Sequence, residues 1–88
     1  MFLHITSIEL LDNFHLRLAF NSGVTHIVDL SAELNGEVFI PLRSPAFFAQ
    51  VRLNPETGTI EWPNGADFAP EFLAELGALQ AQPDVVLA

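Results

Sequence analysis

Apolar and polar residues alternate strictly over His15-Leu16-Arg17-Leu18-Ala19-Phe20, with Leu16, Leu18 and Phe20 on one face and His15 and Arg17 on the other. A period of two is the mark of a half-buried strand. Residues 2–10, with their Ile, Thr and Phe, predict a first strand closed by a turn at Asp12-Asn13. Asn21-Ser22-Gly23 supplies a short hairpin loop, in which Gly23 takes a positive φ at low cost. Val24 to Leu30 returns as a third strand, with Val24, Val28 and Leu30 sharing a face. These segments predict an antiparallel meander.

The middle of the chain is less periodic. Ser31 to Gly36 reads as one helical turn, capped by Ser31 and stopped by Gly36. Ser44-Pro45 opens a second turn, with Ser at the cap and Pro at the first helical position, and Phe47 and Phe48 tucked under the sheet. Val51-Arg52-Leu53 and Thr59-Ile60-Glu61-Trp62 predict two short strands around the turn-forming Asn54-Pro55-Glu56-Thr57-Gly58. Residues 69–79 predict a helix: Phe72, Leu73, Leu76 and Leu79 form one apolar stripe, and Glu71 and Glu75 point away. The expected class is α+β: a β-meander, a second hairpin, one C-terminal helix and one or two short helical turns packed on the sheet. Residues 1–79 make the domain and 80–88 a C-terminal tail.

Composition narrows the function more than the fold. The 88 residues include 50% apolar side chains and eight Phe, with a mean hydropathy of +0.36. A chain this short fills one core, and so apolar a composition leaves side chains outside for a partner or a second copy. The net charge is −8, with no Lys and only Arg17, Arg43 and Arg52 as cations. Phosphate backbones and anionic membranes would repel such a chain, so nucleic acid bound by this chain alone and membrane association are not expected. A basic protein would be attracted. The absence of Cys excludes disulfides and thiolate metal sites. The N-terminus lacks the basic region of a signal peptide, and a cytoplasmic location is the default expectation.

The segment "DNFHLRLAFNSGVTHIVDLS", a block ending in "FFAQVRL", and then "GTIEWPNGADFAPEFL" together resemble a widespread bacterial family, domain of unknown function 2442. The resemblance covers roughly residues 3 to 76, and its most specific part is the Trp-Pro-Asn-Gly-x-Asp block at residues 62–67. It implies a small α+β domain of antiparallel strands with a helix on the sheet. Some members resemble antitoxins by gene neighbourhood, and some carry an added helix-turn-helix, for which this chain has no room after residue 79. The family brings no established catalytic residues to transfer.

The same block supplies the first candidate site. Trp62 reads either as a cap on the core beneath the last helix or, with Asp67, as an exposed recognition patch. Pro63 ends the strand, and Asn64-Gly65 forms the turn with both residues suited to left-handed angles. Asp67 is expected to cap the helix or to make an Asx-type turn ahead of it. Val85, Val86 and Leu87 in the tail are a second candidate partner surface, as a strand added to a neighbour.

His4, His15 and His26 recur every eleven residues on the meander, which suggests a metal site. Alternation puts His15 on the solvent face, while His4 and His26 share parity with apolar neighbours and make the candidate ligand pair. Their ordinary reading is half-exposed strand residues. No cofactor is expected. No nucleophilic triad or Gly-rich phosphate loop is present, and no spacing places two carboxylates on one face, so a non-enzymatic binding module is expected. The leading reading is an acidic protein-interaction module, such as an antitoxin-like partner of a basic toxin. The alternatives are a metal- or small-ligand-binding domain and a structural homodimer.

Overall fold

The structure, a computed structural model, describes residues 2–81. Three strands, β1 (Ile5–Leu10), β2 (His15–Phe20) and β3 (Thr25–Asp29), form an antiparallel sheet in that spatial order. Two further strands, β4 (Arg52–Asn54) and β5 (Thr59–Glu61), make a separate hairpin. Between them lie 3-10 turns at Ser31–Glu33 and Ile40–Arg43 and the one-turn helix α1 (Pro45–Phe48), and the chain closes with α2 (Pro70–Ala81). This is the α+β arrangement expected.

Register explains which side chains are inside. Leu18 lies opposite Ile8 and His26, and Leu16 opposite Leu10 and Val28, so these rows face the core, with Leu10 exposed at its margin. Glu9, Arg17 and Ile27 form the row that faces away. A register shift between Ile5 and Ser7 lets both Ile5 and Ile8 turn inward, which strict alternation would forbid. Leu16, Leu18, Val28, Leu30, Leu42, Ile60, Trp62 and Leu73 are all fully buried. The hairpin joins the sheet where the Ile5 N–H donates to the Gly58 carbonyl at 2.8 Å.

Several local expectations are corrected. The first strand starts at Ile5 rather than residue 2. The turn after β1 centres on Asn13-Phe14, both left-handed at φ 56° and 63°, as a two-residue hairpin turn demands. An aromatic residue is rarely left-handed. Phe14 is held so by the Leu30 N–H on its carbonyl and by edge-to-face packing of its ring on Phe48. Ser31 is not a cap: its N–H and hydroxyl both donate to Asp29 Oδ1, at 2.9 and 2.7 Å, so Asp29 organises this turn. Ser44 does precede α1, but its side chain makes no capping bond, and its carbonyl accepts from the Phe48 N–H instead.

α2 runs two residues beyond the expected end, placing Gln80 and Ala81 in the helix rather than in a tail. Its buried face keeps Leu73 and Leu76 of the expected stripe and is shifted toward Gly77. Leu73 and Gly77 are buried, whereas Leu79 is 66% exposed and Phe72 38%. Gly77 lets the helix backbone approach β3, which centres the buried face on Leu73 and Gly77, with Leu76 at its margin. Val24 was expected to share the inner face, but it lies at the hairpin end just outside β3 and is largely exposed.

Candidate functional site

The Trp62–Asp67 corner is built by backbone hydrogen bonds. The Gly65 N–H donates to the Trp62 carbonyl and the Trp62 N–H to the Ala66 carbonyl, both at 2.9 Å. Pro63 and Asn64 are thus the central residues of the turn, and only Gly65, at φ 90°, is left-handed. Asn64 does not take the left-handed angle expected of it. Its side chain instead ties two segments, accepting from the Ala66 N–H at 3.1 Å and donating to the Val38 carbonyl at 2.8 Å.

Trp62 is 1% exposed. Its indole N–H donates to the Phe48 carbonyl at 2.9 Å, and its ring packs against Phe48 and Phe68. The recognition reading of Trp62 requires a surface, and the structure puts the side chain in the core instead. Asp67 is exposed and bridges to Glu61 through the backbone. α2 begins at Pro70, which places Asp67 too far ahead to cap it. Its carboxylate has no hydrogen-bond partner among the described residues, so the expected Asx-type turn belongs to Asn64. Val85, Val86 and Leu87 lie outside the described residues.

The histidines are dispersed. His4 sits over Gly58, and its Nδ1 lies 3.2 Å from the Phe2 carbonyl. His26 packs against Gly77 of α2, with its ring edge-on to Phe20 at 5.8 Å. The candidate pair is therefore fixed against different elements. His15 is on the solvent face, with Nε2 3.8 Å from Asp29 Oδ2. Among the described residues, no three His, Cys, Asp or Glu side chains gather as a metal cage.

What the structure does bring together is the outer margin of β3. His15, Thr25, His26, Ile27 and Asp29 line an open groove of about 640 Å³, together with Gln80 and Ala81 of α2. Gln80 bonds the strand backbone directly: the Asp29 N–H donates to its Oε1 at 2.7 Å, and its Nε2 donates to the Asp29 carbonyl at 3.0 Å. Partial desolvation pushes the Asp29 carboxyl upward, but the two Ser31 hydrogen bonds and the nearby His15 outweigh it and hold it below the usual aspartate range. No sequence signal marked Gln80, because a side-chain amide pairing with a strand leaves no periodicity.

The remaining surface is acidic and partly apolar. Arg17 pairs with Glu9. Arg52 donates through Nε and a terminal nitrogen to Glu61 Oε2, while Asn54 donates to Oε1 at 2.9 Å. Asn54 first, and then Arg52, hold the Glu61 carboxyl below its usual range. Arg43 donates to the Leu34 carbonyl and to Asn35. Phe39, Phe68 and Phe72 form a stack of rings, flanked by exposed Val38 and Ile40. Among the described residues, no helix is long and apolar enough to cross a membrane.

A family model described as "Protein of unknown function (DUF2442)" matches residues 5–77. The fold is similar to the crystal structure of "Putative DNA Binding Protein NE0471" from Nitrosomonas europaea ATCC 19718, with a TM-score of 0.79 and 26% sequence identity. That match covers 91% of this chain and 52% of the other, so the chain spans about half the length of the Nitrosomonas protein. No curated protein matches the chain.

Proposed function

The chain belongs to the DUF2442 family of proteins of unknown function, and on that premise we propose that it is a non-catalytic, cytoplasmic protein-interaction module for a cationic protein partner. An antitoxin-like hold on a basic toxin or nuclease is one form this takes. The observation that carries the reading is the state of the cations. Each of the three Arg side chains is engaged within the fold, two of them by glutamates. Asp12, Glu37, Glu56, Asp67, Glu71 and Glu75 are exposed. The charge left for a partner to meet is therefore negative, and it steers basic surfaces toward the chain. Exposed Val38, Ile40 and Phe72 add apolar area that such a partner can cover.

The test is affinity capture of the tagged chain from nuclease-treated lysate of its host, followed by mass spectrometry. A basic protein retained at low ionic strength and lost at high ionic strength is expected. Recovery of only the chain itself contradicts the reading and favours the homodimer.

The name of the Nitrosomonas protein favours a second reading, in which the domain serves DNA binding. Phosphate neutralisation needs free cations, which argues against DNA binding by this chain alone. Fluorescence anisotropy with labelled duplex DNA at low salt decides this, and saturable binding would favour the second reading.

A further inference from the structure

Because β2 lies in the middle of its sheet, β3 has a strand partner on one side only among the described residues. The hydrogen bonds Phe20 N–H to Val24 carbonyl and Leu30 N–H to Phe14 carbonyl show that the even-numbered residues of this segment face β2. In an antiparallel ladder the odd residues, Thr25, Ile27 and Asp29, then direct their N–H and carbonyl groups outward. Gln80 satisfies both outward groups of Asp29. Thr25 and Ile27 have no such partner among the described residues.

We infer that the outer edge of β3 from Thr25 to Ile27 is the docking line for an extended, cationic segment of a partner protein, which adds to the sheet as a strand and ends against Gln80. A side-chain amide has the same donor and acceptor as a peptide bond, so Gln80 already forms the first rung of the ladder that the partner continues. The groove lined by His15, Thr25, His26, Ile27 and Asp29 gives that strand its space. Sheet edges are commonly blunted by Lys, Pro or a bulge. β1 has its register shift and its bond to Gly58. β3, reading Thr-His-Ile-Val-Asp, has none of these devices.

The chemistry of the edge selects the occupant. Ile27, 47% exposed, offers apolar contact to a side chain on the outer face, and Asp29 two residues along offers negative charge. Strand addition draws affinity from main-chain bonds and specificity from alternate side chains. A second copy would bring a charge of −8 against −8, whereas a segment with an apolar residue and a basic residue two positions apart, both on the outer face, matches both features. The cationic character rests on the proposed function, and the edge itself rests on the register.

The test is amide-resolved hydrogen exchange by NMR on the full chain, alone and with blocked peptides of about six residues, the usual strand length. One peptide carries Val and Lys two residues apart, on the same face of an extended strand, and in the other Glu replaces Lys. In the free chain, Thr25 and Ile27 should exchange at least about tenfold faster than His26 and Val28. The Lys-Val peptide should slow both by about tenfold or more, and the Glu-Val peptide should not. Ile27→Pro, which removes one outward N–H and is checked for folding by circular dichroism, should abolish the protection of Thr25. The wild-type mapping decides the matter if that variant does not fold. Equal protection by both peptides would keep the edge and remove the cationic partner. Slow exchange in the free chain would show the edge already filled by residues outside 2–81 or by a second copy, and would overturn the inference. Absence of protection with either peptide overturns it too.

Discussion

Gly77 of α2 lies directly over His26 of β3, so close that a Cβ on Gly77 would fall 2.5 Å from the His26 Cβ and 2.6 Å from its Cγ. Those atoms are at the rigid root of the side chain, so one element has to move. Gly77→Ala gains about 1 kcal/mol of helix propensity but forces an overpacked contact costing about 1–3 kcal/mol. A net loss of about 1 kcal/mol is expected in urea denaturation. A stabilised variant would show that α2 and β3 are not in this contact.

Trp62→Phe removes the indole N–H from the Phe48 carbonyl and leaves space at the centre of the core. Loss of about 2–4 kcal/mol is expected from the cavity and the orphaned carbonyl together. Calorimetric unfolding measures it. A loss within about 0.5 kcal/mol, the range of ordinary surface substitutions, would mean that the ring is outside.

Asn64→Ala cuts both tethers of the corner, to Ala66 and to Val38. A stability loss of about 1–2 kcal/mol is expected, with faster amide exchange over residues 38–40. Asn64→Asp keeps the acceptor for Ala66 and loses the donor for Val38. It should therefore reproduce the local exchange change with a smaller global loss.

Acid should weaken the fold through Asp29 and Glu61, whose carboxyls are both held below their usual values. A depressed folded pKa contributes stability that is present above the unfolded pKa and is lost as pH falls through the folded one. The melting temperature should therefore decline as pH falls below about 4, the ordinary carboxylate range. Ser31→Ala and Asn54→Ala remove hydrogen bonds to these two groups and should flatten the decline. An unchanged slope in both variants would count against those contacts.

Much of the fold was legible because its signals are local. Leu16, Leu18 and Phe20 alternate, Gly23 ends a hairpin, and Pro70 opens a helix. The corner was legible as a turn because Pro63 and Gly65 have few other uses. What was not legible depends on long-range approach. The 72/73/76/79 stripe of α2 looks like its buried face until Gly77 meets His26, a contact between residues far apart in sequence, and of that stripe Leu73 and Leu76 stay against the core. The role of Gln80 was hidden for the same reason, since the backbone it pairs with lies at Asp29. Trp62 permitted two readings because a large aromatic at a strand end serves a core or a surface equally well, and only its burial separates them.

In the proposed function, the exposed negative charge of this domain binds a cationic protein. Calorimetric titration of the chain with the basic protein captured from its host, at about 0.05 M and about 0.5 M salt, tests it most directly, because the Debye length shrinks about threefold between them. Stoichiometric binding that weakens by at least about tenfold at the higher salt is the expected result. Binding of equal strength at both salts, or no binding, would contradict the claim.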